Sequence, residues 1–297
     1  MTERLSVYGE VLEQESMRRH TTFHIGGIVD YYIYPKSLVS FLELHRVLEE
    51  NGIAQVVLGR GSNLLFDDRP FHGAVINLEK ALQSYYFEKN GTLIAEAGVS
   101  LVRLAREAYQ RGLSGLEFAS GIPGSVGGGL YMNAGAYNSD LAALLKEVLV
   151  FRDGKVSWMA KEDLGYSYRR SLFQERKDWI ILAGRFQLQP GNRDEILALM
   201  ESRRVRRISS QPIAMPSAGS VFRNPPEAPA WKLIEEVGGR GLRCGGAAVS
   251  NLHCNFIVNE TGEATAQDVL NLIQTLQQRV QARFGISLLT EIEYKTF

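Results

Sequence analysis

The residues best suited to hold a phosphorylated ligand lie near the middle of the chain, in residues 121–136, here called the glycine segment. Six glycines fall within residues 121–135, and no charged side chain interrupts them. Glycine adopts positive φ without steric cost and lets a ligand approach the main chain directly. Successive N–H groups in such a turn form a concave site for an anion. The composition favours a main-chain cradle for a pyrophosphate, with a flexible linker as the alternative.

A second glycine turn follows a predicted strand directly. Gly59, Gly61, Ser62 and Asn63 come just after an apolar run that ends at Leu58, a common position for a phosphate-binding turn. The turn lacks the Lys-Ser/Thr pair of a P-loop, and the chain contains no G-x-G-x-x-G fingerprint. A dinucleotide would therefore not be bound in the Rossmann manner. Two main-chain turns would suit the two phosphates of FAD.

Three further clusters carry groups that could bind anions or move protons. Arg169 follows Tyr168 in a tyrosine-rich stretch, and its planar guanidinium can pair with a carboxylate or a phosphate. Ser220 follows two small residues, and the absence of a G-x-S-x-G elbow argues against a hydrolase nucleophile. Glu291 stands among apolar residues, where burial would raise the pKa of a carboxyl group. For each cluster, a solvated strand or an ordinary turn remains the alternative.

Composition limits the classes of partner. Lys plus Arg and Asp plus Glu each number 33 in 297 residues, so no net charge recruits nucleic acid or an anionic membrane. The first twenty residues lack the apolar core of a signal peptide, and no apolar run approaches the ~18 residues that span a bilayer. Neither the two cysteines nor the five histidines have metal-ligand spacing. We expect a cytoplasmic protein with no metal and no nucleic-acid or membrane partner.

The elements that must position these groups are helices and strands in mixed order. Apolar runs predict strands over 29–34, 53–58, 74–78, 179–183, 255–258 and 286–294. Two hairpins are expected, with turns at Asn90-Gly91 and Asp153-Gly154. Capping residues and periodicity predict helices from Ser37 to Glu50, after Ser100, and over 193–207, 231–237 and 265–283. The lack of a regular βαβ rhythm predicts the α+β class, with a domain boundary near 190–210.

In their order along the chain, these motifs resemble the UDP-N-acetylenolpyruvoylglucosamine reductase (MurB) family. The resemblance runs from Thr21 to Glu291 and includes Gly-x-Gly-Ser-Asn, Gly-Ile-Pro-Gly-Ser-Val-Gly-Gly, Asn-Ala-Gly-Ala-Tyr, Tyr-Arg-x-Ser, Pro-Ser-Ala-Gly-Ser-Val-Phe and Val-Ser-x-x-His-x-x-Phe-Ile-Val-Asn. The short segment between Tyr168 and Arg193 resembles the compact branch that lacks an extra substrate-closing loop. The family implies a two-part FAD-binding region of the vanillyl-alcohol-oxidase (PCMH) type, over 1–75 and 76–195, and an α+β substrate-binding domain over 196–297.

The resemblance also implies a reaction. NADPH would reduce non-covalently bound FAD, and UDP-N-acetylglucosamine enolpyruvate would become UDP-N-acetylmuramate, with hydride added at C3 and a proton at C2, in peptidoglycan precursor synthesis. Arg169, assisted by Glu291, would stabilise charge on the substrate carboxylate, and Ser220 would deliver the proton. A monomer is expected. The implied substrate contacts are Tyr168, Arg223 and Asn224. The implied FAD contacts are Gly59, Gly61, Ser62, Asn63, Gly121, Ile122, Pro123, Gly124, Ser125, Gly127, Asn133, Gly135 and Ala136.

The chain departs from the family pattern at three places. Arg223 and Leu252 stand where lysine is usual, and Leu289-Thr290-Glu291 replaces the usual Glu-Pro-Glu. Two other functions remain open at this stage. One is a flavin oxidase of the same superfamily that uses oxygen and another substrate. The other is a UDP-sugar-binding module without redox activity, in which the glycine turns hold only the diphosphate.

Overall fold

The computed structural model describes residues 1–296 and divides into two compact units. Unit 1 comprises Met1–Leu12, Tyr32–Arg60 and Ala74–Arg206. Unit 2 comprises Glu13–Tyr31, Gly61–Gly73 and Arg207–Phe297. The three domain ranges expected from the sequence stay a prediction.

Both helices and strands recur along the whole chain, in agreement with the predicted α+β class. The helices are α1 (Thr2–Ser6), α2 (Leu38–Glu50), α3 (Leu101–Gln110), α4 (Val126–Met132), α5 (Arg193–Ser210), α6 (Ala230–Glu236) and α7 (Ala266–Phe284). The strands are β1 (Gly9–Ser16), β2 (Ile28–Pro35), β3 (Ala54–Leu58), β4 (Leu64–Phe66), β5 (Phe71–Asn77), β6 (Tyr85–Phe87), β7 (Thr92–Glu96), β8 (Leu113–Ser114), β9 (Gly135–Ala136), β10 (Ser139–Asp140), β11 (Leu145–Arg152), β12 (Lys155–Ala160), β13 (Ile180–Gln187), β14 (Gln189–Pro190), β15 (Arg243–Cys244), β16 (Ala247–Val249), β17 (Ile257–Asn259) and β18 (Glu293–Lys295). A four-stranded sheet has the order β1-β2-β5-β3.

Unit 1 contains a five-stranded antiparallel sheet with the order β12-β11-β13-β7-β6. The turn between β11 and β12 has two residues, Asp153 and Gly154, both with positive φ, as a type I′ hairpin requires. The Asn90-Gly91 turn is longer than the predicted two residues. There the N–H of Glu88 donates to the carbonyl of Thr92 at 2.8 Å, and three residues lie between them.

The predicted helix starts are confirmed by their caps. Ser37 Oγ accepts from the N–H of Ser40 at α2, and Ser100 Oγ accepts from the N–H of Arg103 at α3. At α7, Thr265 and Asp268 form a reciprocal capping box. Each cap satisfies an N–H that the first helical turn leaves without a partner, so a local sequence pattern suffices to place the start.

Unit 2 is built around one apolar core. Helix α7 packs on β15, β16 and α6, and β15-β16-β17 form an antiparallel sheet. Strands β4 and β18 form a separate parallel pair. Phe23, Leu65, Phe222, Ile257 and Leu276 are all buried within the shared core. The segments of unit 2, which are far apart in sequence, are joined by this core.

Two sequence expectations about elements were wrong. The strand predicted over 286–294 is confined to Glu293–Lys295, which pairs with β4, because before it Thr290 forms only an isolated bridge with Phe222. The glycine segment, expected to be a turn of main chain, contains α4. Ser125 caps that helix, and Val126 and Leu130 are fully buried, which offsets the low helix propensity of its three glycines.

Candidate active site

The glycine segment begins α4 in unit 1, and its glycines divide into two kinds. A Cβ on Gly129 would lie 2.7 Å from Leu141 Cδ1, and one on Gly127 would lie 3.0 Å from the Cβ of Ala97. The N–H of Gly127 already donates to the carbonyl of Ala97. These two glycines therefore permit close packing of α4 on its neighbours, and Gly127 offers no N–H to an anion.

The start of α4 has N–H groups that remain available. No residue within the described part of unit 1 accepts a hydrogen bond from the N–H of Gly124 or Ser125. The turn after β3 lies beside this point, because a Cβ on Gly59 would stand 2.5 Å from Ser125 Oγ. Within unit 1, the two glycine turns predicted from the sequence therefore meet.

The rest of the turn after β3 belongs to unit 2. Gly61 has a φ of +58°, and a Cβ there would lie 2.3 Å from the carbonyl oxygen of His20. Within the described part of unit 2, the N–H groups of Gly61, Ser62 and Asn63 donate no hydrogen bond. The side chain of Asn63 is engaged, since Nδ2 donates to the carbonyl of Glu291 at 3.0 Å. Main-chain N–H groups in this turn can thus hold an anion, whereas the Asn63 amide has a structural contact.

Asn133 ends α4 in the left-handed conformation, with a φ of +45°. Its side chain is 1% exposed and fully bonded: Nδ2 donates to Asp140 Oδ2 and to the carbonyl of Ser167, and Oδ1 accepts from the N–H of Ala142. This buried amide fixes the chain around Gly135, where a Cβ would lie 2.3 Å from the carbonyl oxygen of Ser139. Asn133 and Gly135 thus shape the segment that follows α4.

Arg169 lies against the end of the glycine segment within unit 1. Its Nη1 donates to the carbonyl of Asn133 at 3.3 Å, and its Nη2 donates to the carbonyl of Gly135. The guanidinium also lies 5.1 Å from the ring centroid of Tyr168, which is half-exposed. Arg169 itself has a φ of +56°, an uncommon conformation for a residue with a side chain. A strained backbone and two carbonyl contacts therefore orient this cation.

Tyr166, three positions before Arg169, has a buried phenol hydroxyl. The hydroxyl of Tyr166 has no hydrogen-bond partner among the described residues. Burial raises the pKa of Tyr166 well above its usual value, so the phenol stays neutral at physiological pH.

Ser220 and Glu291 come together in unit 2, on the serine segment (residues 216–224) and the chain end. The N–H of Glu291 donates to the carbonyl of Val221 at 2.7 Å, and the N–H of Arg223 donates to the carbonyl of Leu289 at 2.9 Å. Ser220 is half-buried, and Gly219 before it has a φ of +79°. The structure thus places two of the three predicted catalytic residues on adjacent segments, although they are 71 positions apart.

The two other predicted substrate contacts in unit 2 flank this pair. The Nε of Arg223 is buried and lacks a hydrogen-bond partner among the described residues. Asn224 is exposed, and its Oδ1 accepts from the N–H of Ala230 at 3.0 Å at the start of α6. Arg223 therefore retains donor capacity for a ligand, whereas Asn224 has one oxygen engaged in the fold.

Sequence reasoning missed the residues that hold the serine segment. Asn255 bonds both main-chain groups of Phe222, and Thr22 Oγ1 donates to the carbonyl of Ser217 at 2.7 Å. Asn255 occupies an unspecified position in the Val-Ser-x-x-His-x-x-Phe-Ile-Val-Asn motif. The available signal was an amide residue at the start of an apolar stretch, where an unbonded polar group would be costly.

His253, beside the unusual Leu252, has a fixed tautomer. Its Nδ1 accepts from the N–H of Asn255 at 3.2 Å, which leaves the other ring nitrogen as the donor. Burial lowers the pKa of His253, and the ring packs edge-on against Phe256. The imidazole is therefore neutral at physiological pH and can donate one hydrogen bond.

Neither a metal centre nor a membrane span is found in residues 1–296. No cluster of three or more His, Cys, Asp or Glu side chains could hold an ion there. Across the same residues, every helix is too short or too polar to cross a bilayer.

Two family descriptions match separate parts of this chain. The description "FAD binding domain" matches residues 29–159. The description "UDP-N-acetylenolpyruvoylglucosamine reductase, C-terminal domain" matches residues 211–295. The first match covers both glycine turns, and the second covers Ser220 and Glu291.

Whole-length similarities agree with these matches. A UDP-N-acetylenolpyruvoylglucosamine reductase of Bacillus licheniformis is 43% identical over 96% of this chain and 94% of its own length. One of Carboxydothermus hydrogenoformans is 44% identical over 99% of this chain and 96% of its own length. The crystal structure of UDP-N-acetylenolpyruvylglucosamine reductase (MurB) from Thermus caldophilus is 34% identical, with a TM-score of 0.80 over 97% of this chain and 99% of that chain.

Proposed function

Because this chain belongs to the UDP-N-acetylenolpyruvoylglucosamine reductase family, we propose that it performs the family reaction with Ser220, Arg169 and Glu291. It is an FAD-containing oxidoreductase of peptidoglycan precursor synthesis that converts UDP-N-acetylglucosamine enolpyruvate to UDP-N-acetylmuramate at the expense of NADPH. The observation that carries the assignment of residues is the contact between the segments of Ser220 and Glu291, at 2.7 Å between Glu291 N and Val221 O.

The main-chain turns fit the pyrophosphate of FAD. Within unit 1, the backbone N–H groups of Gly124 and Ser125 are suited to bind phosphate oxygens of FAD. Within unit 2, the backbone N–H groups of Gly61, Ser62 and Asn63 are suited to bind an anion. When bound, FAD would supply C3 of the enolpyruvyl group with a hydride that originates from NADPH. Gly121, Ile122, Pro123, Gly135 and Ala136 would line the cofactor through backbone surface. Gly59, Gly127 and Asn133 would contribute by allowing and fixing this backbone shape.

Charge at the substrate carboxylate would be stabilised by Arg169. Its planar guanidinium is suited to pair with a carboxylate, and its contacts with the carbonyls of Asn133 and Gly135 hold it in place. Such preorganised stabilisation of developing charge is often the largest single contribution to catalysis. Glu291 would assist, and Tyr168, Arg223 and Asn224 would bind the rest of the substrate.

Ser220 would protonate C2 of the substrate. A serine hydroxyl is a weak acid, but the enolate-like carbon formed by hydride addition at C3 is a strong base. Proton transfer to that carbon is therefore favourable when the hydroxyl is held at the right distance. Ser220 is half-buried, so its side chain remains accessible from solvent. We further propose that the enzyme is monomeric and works in the cytoplasm.

The purified protein tests this function. It should be yellow, release FAD when denatured, and oxidise NADPH only when UDP-N-acetylglucosamine enolpyruvate is present. Colourless protein that takes up no added FAD would contradict the function. Fast reoxidation of the reduced protein by air, without turnover of the enolpyruvyl sugar, would favour the flavin oxidase instead.

A further inference from the structure

One buried side chain bonds the serine segment at the residue two positions after Ser220. Asn255 Oδ1 accepts from the N–H of Phe222 at 2.9 Å, and Asn255 Nδ2 donates to the carbonyl of the same residue at 2.8 Å. The main-chain carbonyl of Asn255 also accepts from the N–H of Val221 at 2.9 Å. Asn255 is 4% exposed and Phe222 is 1% exposed, so water cannot replace these bonds.

A carboxamide is suited to this task because it has a donor and an acceptor side by side, as a peptide group does. The serine segment also has single main-chain contacts with Leu289 and Glu291 near Phe222, and with Thr22 and Asn259 at its start. Within the segment, Gly219 has a φ of +79°, and a Cβ there would meet nothing within 4 Å. Isolated antiparallel bridges pair Ser220 with Phe256 and Phe222 with Thr290. The Asn255 side chain extends the bridge at Ser220 by bonding both main-chain groups of Phe222.

We propose that Asn255 is a positioning residue for proton delivery: through its two bonds to Phe222, it sets the location of Ser220 Oγ relative to the substrate carbon. The inference rests on the proposed role of Ser220 as the proton donor. Asn255 itself contacts no reacting atom in this scheme. It acts only by restricting where the serine segment can lie.

Asn255→Leu removes both bonds at nearly constant volume and leaves the N–H and carbonyl of Phe222 buried without partners. A displacement of about 1 Å at a reacting group can lower the rate ~10²-fold. We expect reduction of the bound flavin by NADPH to stay within about twofold of the parent. Reoxidation by the enolpyruvyl sugar should slow by ~10–100-fold, with a larger solvent isotope effect, since proton transfer would limit the rate.

A double-mutant cycle with Ser220→Ala separates this inference from the proposed function. When Ser220 is already absent, Asn255→Leu should slow substrate reduction by less than about threefold. An equal loss in both backgrounds would overturn the role of Asn255 while leaving that of Ser220 intact. If Ser220→Ala does not slow substrate reduction selectively, the proposed role of Ser220 itself fails.

Two further variants keep the test decisive. Asn255→Asp has the same shape and keeps the acceptor for the N–H of Phe222, so it serves if Asn255→Leu does not fold. It should slow substrate reduction ~10-fold, and an unchanged rate would contradict the inference. Asn271→Leu makes the same chemical change on an exposed face of α7 and should alter neither half-reaction.

Discussion

The glycine segment of unit 1 and the serine segment of unit 2 are held in opposite ways. In the glycine segment, absent side chains create the geometry: α4 packs closely at Gly127 and Gly129, and Gly135 lies directly against the backbone of β10. In the serine segment, a side chain adds to the main-chain pairing, because Asn255 bonds both main-chain groups of Phe222. The glycine segment depends on the absence of side chains, and the serine segment depends on the presence of the Asn255 side chain.

The difference follows from the two proposed functions, which are pyrophosphate binding and proton transfer. A pyrophosphate has several oxygens that accept hydrogen bonds, and clustered N–H groups can bind it only where no Cβ blocks the approach. Proton transfer depends on one hydroxyl at one distance, so the segment that carries it must be immobilised. Substitutions in the first region should therefore affect cofactor retention, and substitutions in the second should affect a single chemical step.

The largest effect is expected from Gly135→Val. Its Cβ would lie 2.3 Å from the carbonyl oxygen of Ser139 and 2.6 Å from the Cβ of Asp140, so β9 and β10 would have to separate. We expect protein without bound FAD and without NADPH oxidation, read from the visible spectrum after purification. Gly154→Ala, in a hairpin turn with nothing within 4 Å, is the matched control and should retain FAD. A yellow Gly135→Val protein would show that the glycine segment tolerates side chains.

Arg169→Lys tests the cation that contacts the glycine segment and that we propose binds the substrate carboxylate. A lysine ammonium cannot reproduce the planar fork that contacts the carbonyls of Asn133 and Gly135. The position of the positive charge relative to the substrate carboxylate would therefore be less fixed. We expect substrate reduction to slow by ~10²–10³-fold, with FAD retained. Arg170→Lys is the control, because Arg170 pairs with Glu175 at the surface. Loss of FAD as the main effect would assign Arg169 to the cofactor instead.

The sequence predicted local structure well and distant pairing poorly. Ser37, Ser100 and the Thr265–Asp268 box place helix starts because each cap bonds within three residues of itself. The strand over 286–294 was wrong because strand length depends on a partner, and among the described residues β18 pairs only with the short β4.

The same contrast applies to the candidate site. Ser220, Arg169 and Glu291 could be predicted because their motifs resemble those of a family. Asn255 could not be assigned a role, because its partner, Phe222, lies 33 positions away. No local pattern reports a side chain that pairs with remote main chain.

The smallest effect is expected at Asp67, a second side chain whose hydrogen bonds connect segments of unit 2. Asp67 is buried, and hydrogen bonds from Arg69, with a further bond from the Tyr294 hydroxyl, lower its pKa to about 2. The folded pKa lies below the unfolded value of about 3.9, so the stabilisation is present above pH ~4 and is lost as the pH falls toward 2. Because Arg69 is largely exposed, we expect Asp67→Asn to cost about 1 kcal/mol at neutral pH.

Urea unfolding of parent and Asp67→Asn protein at several pH values measures the contribution of Asp67 to the free energy of unfolding. The difference in unfolding free energy should shrink toward zero between about pH 4 and pH 2. A difference that is constant with pH would mean that Asp67 stabilises unit 2 by shape and not by charge.

The central claim is that Ser220 serves one proton-transfer step, and stopped-flow spectroscopy of Ser220→Ala tests it most directly. Flavin absorbance follows each half-reaction separately. Reduction by NADPH should keep its rate constant within about twofold, and reoxidation by UDP-N-acetylglucosamine enolpyruvate should slow by ~10²–10⁴-fold. Equal slowing of both half-reactions, or no slowing of the second, would contradict the claim.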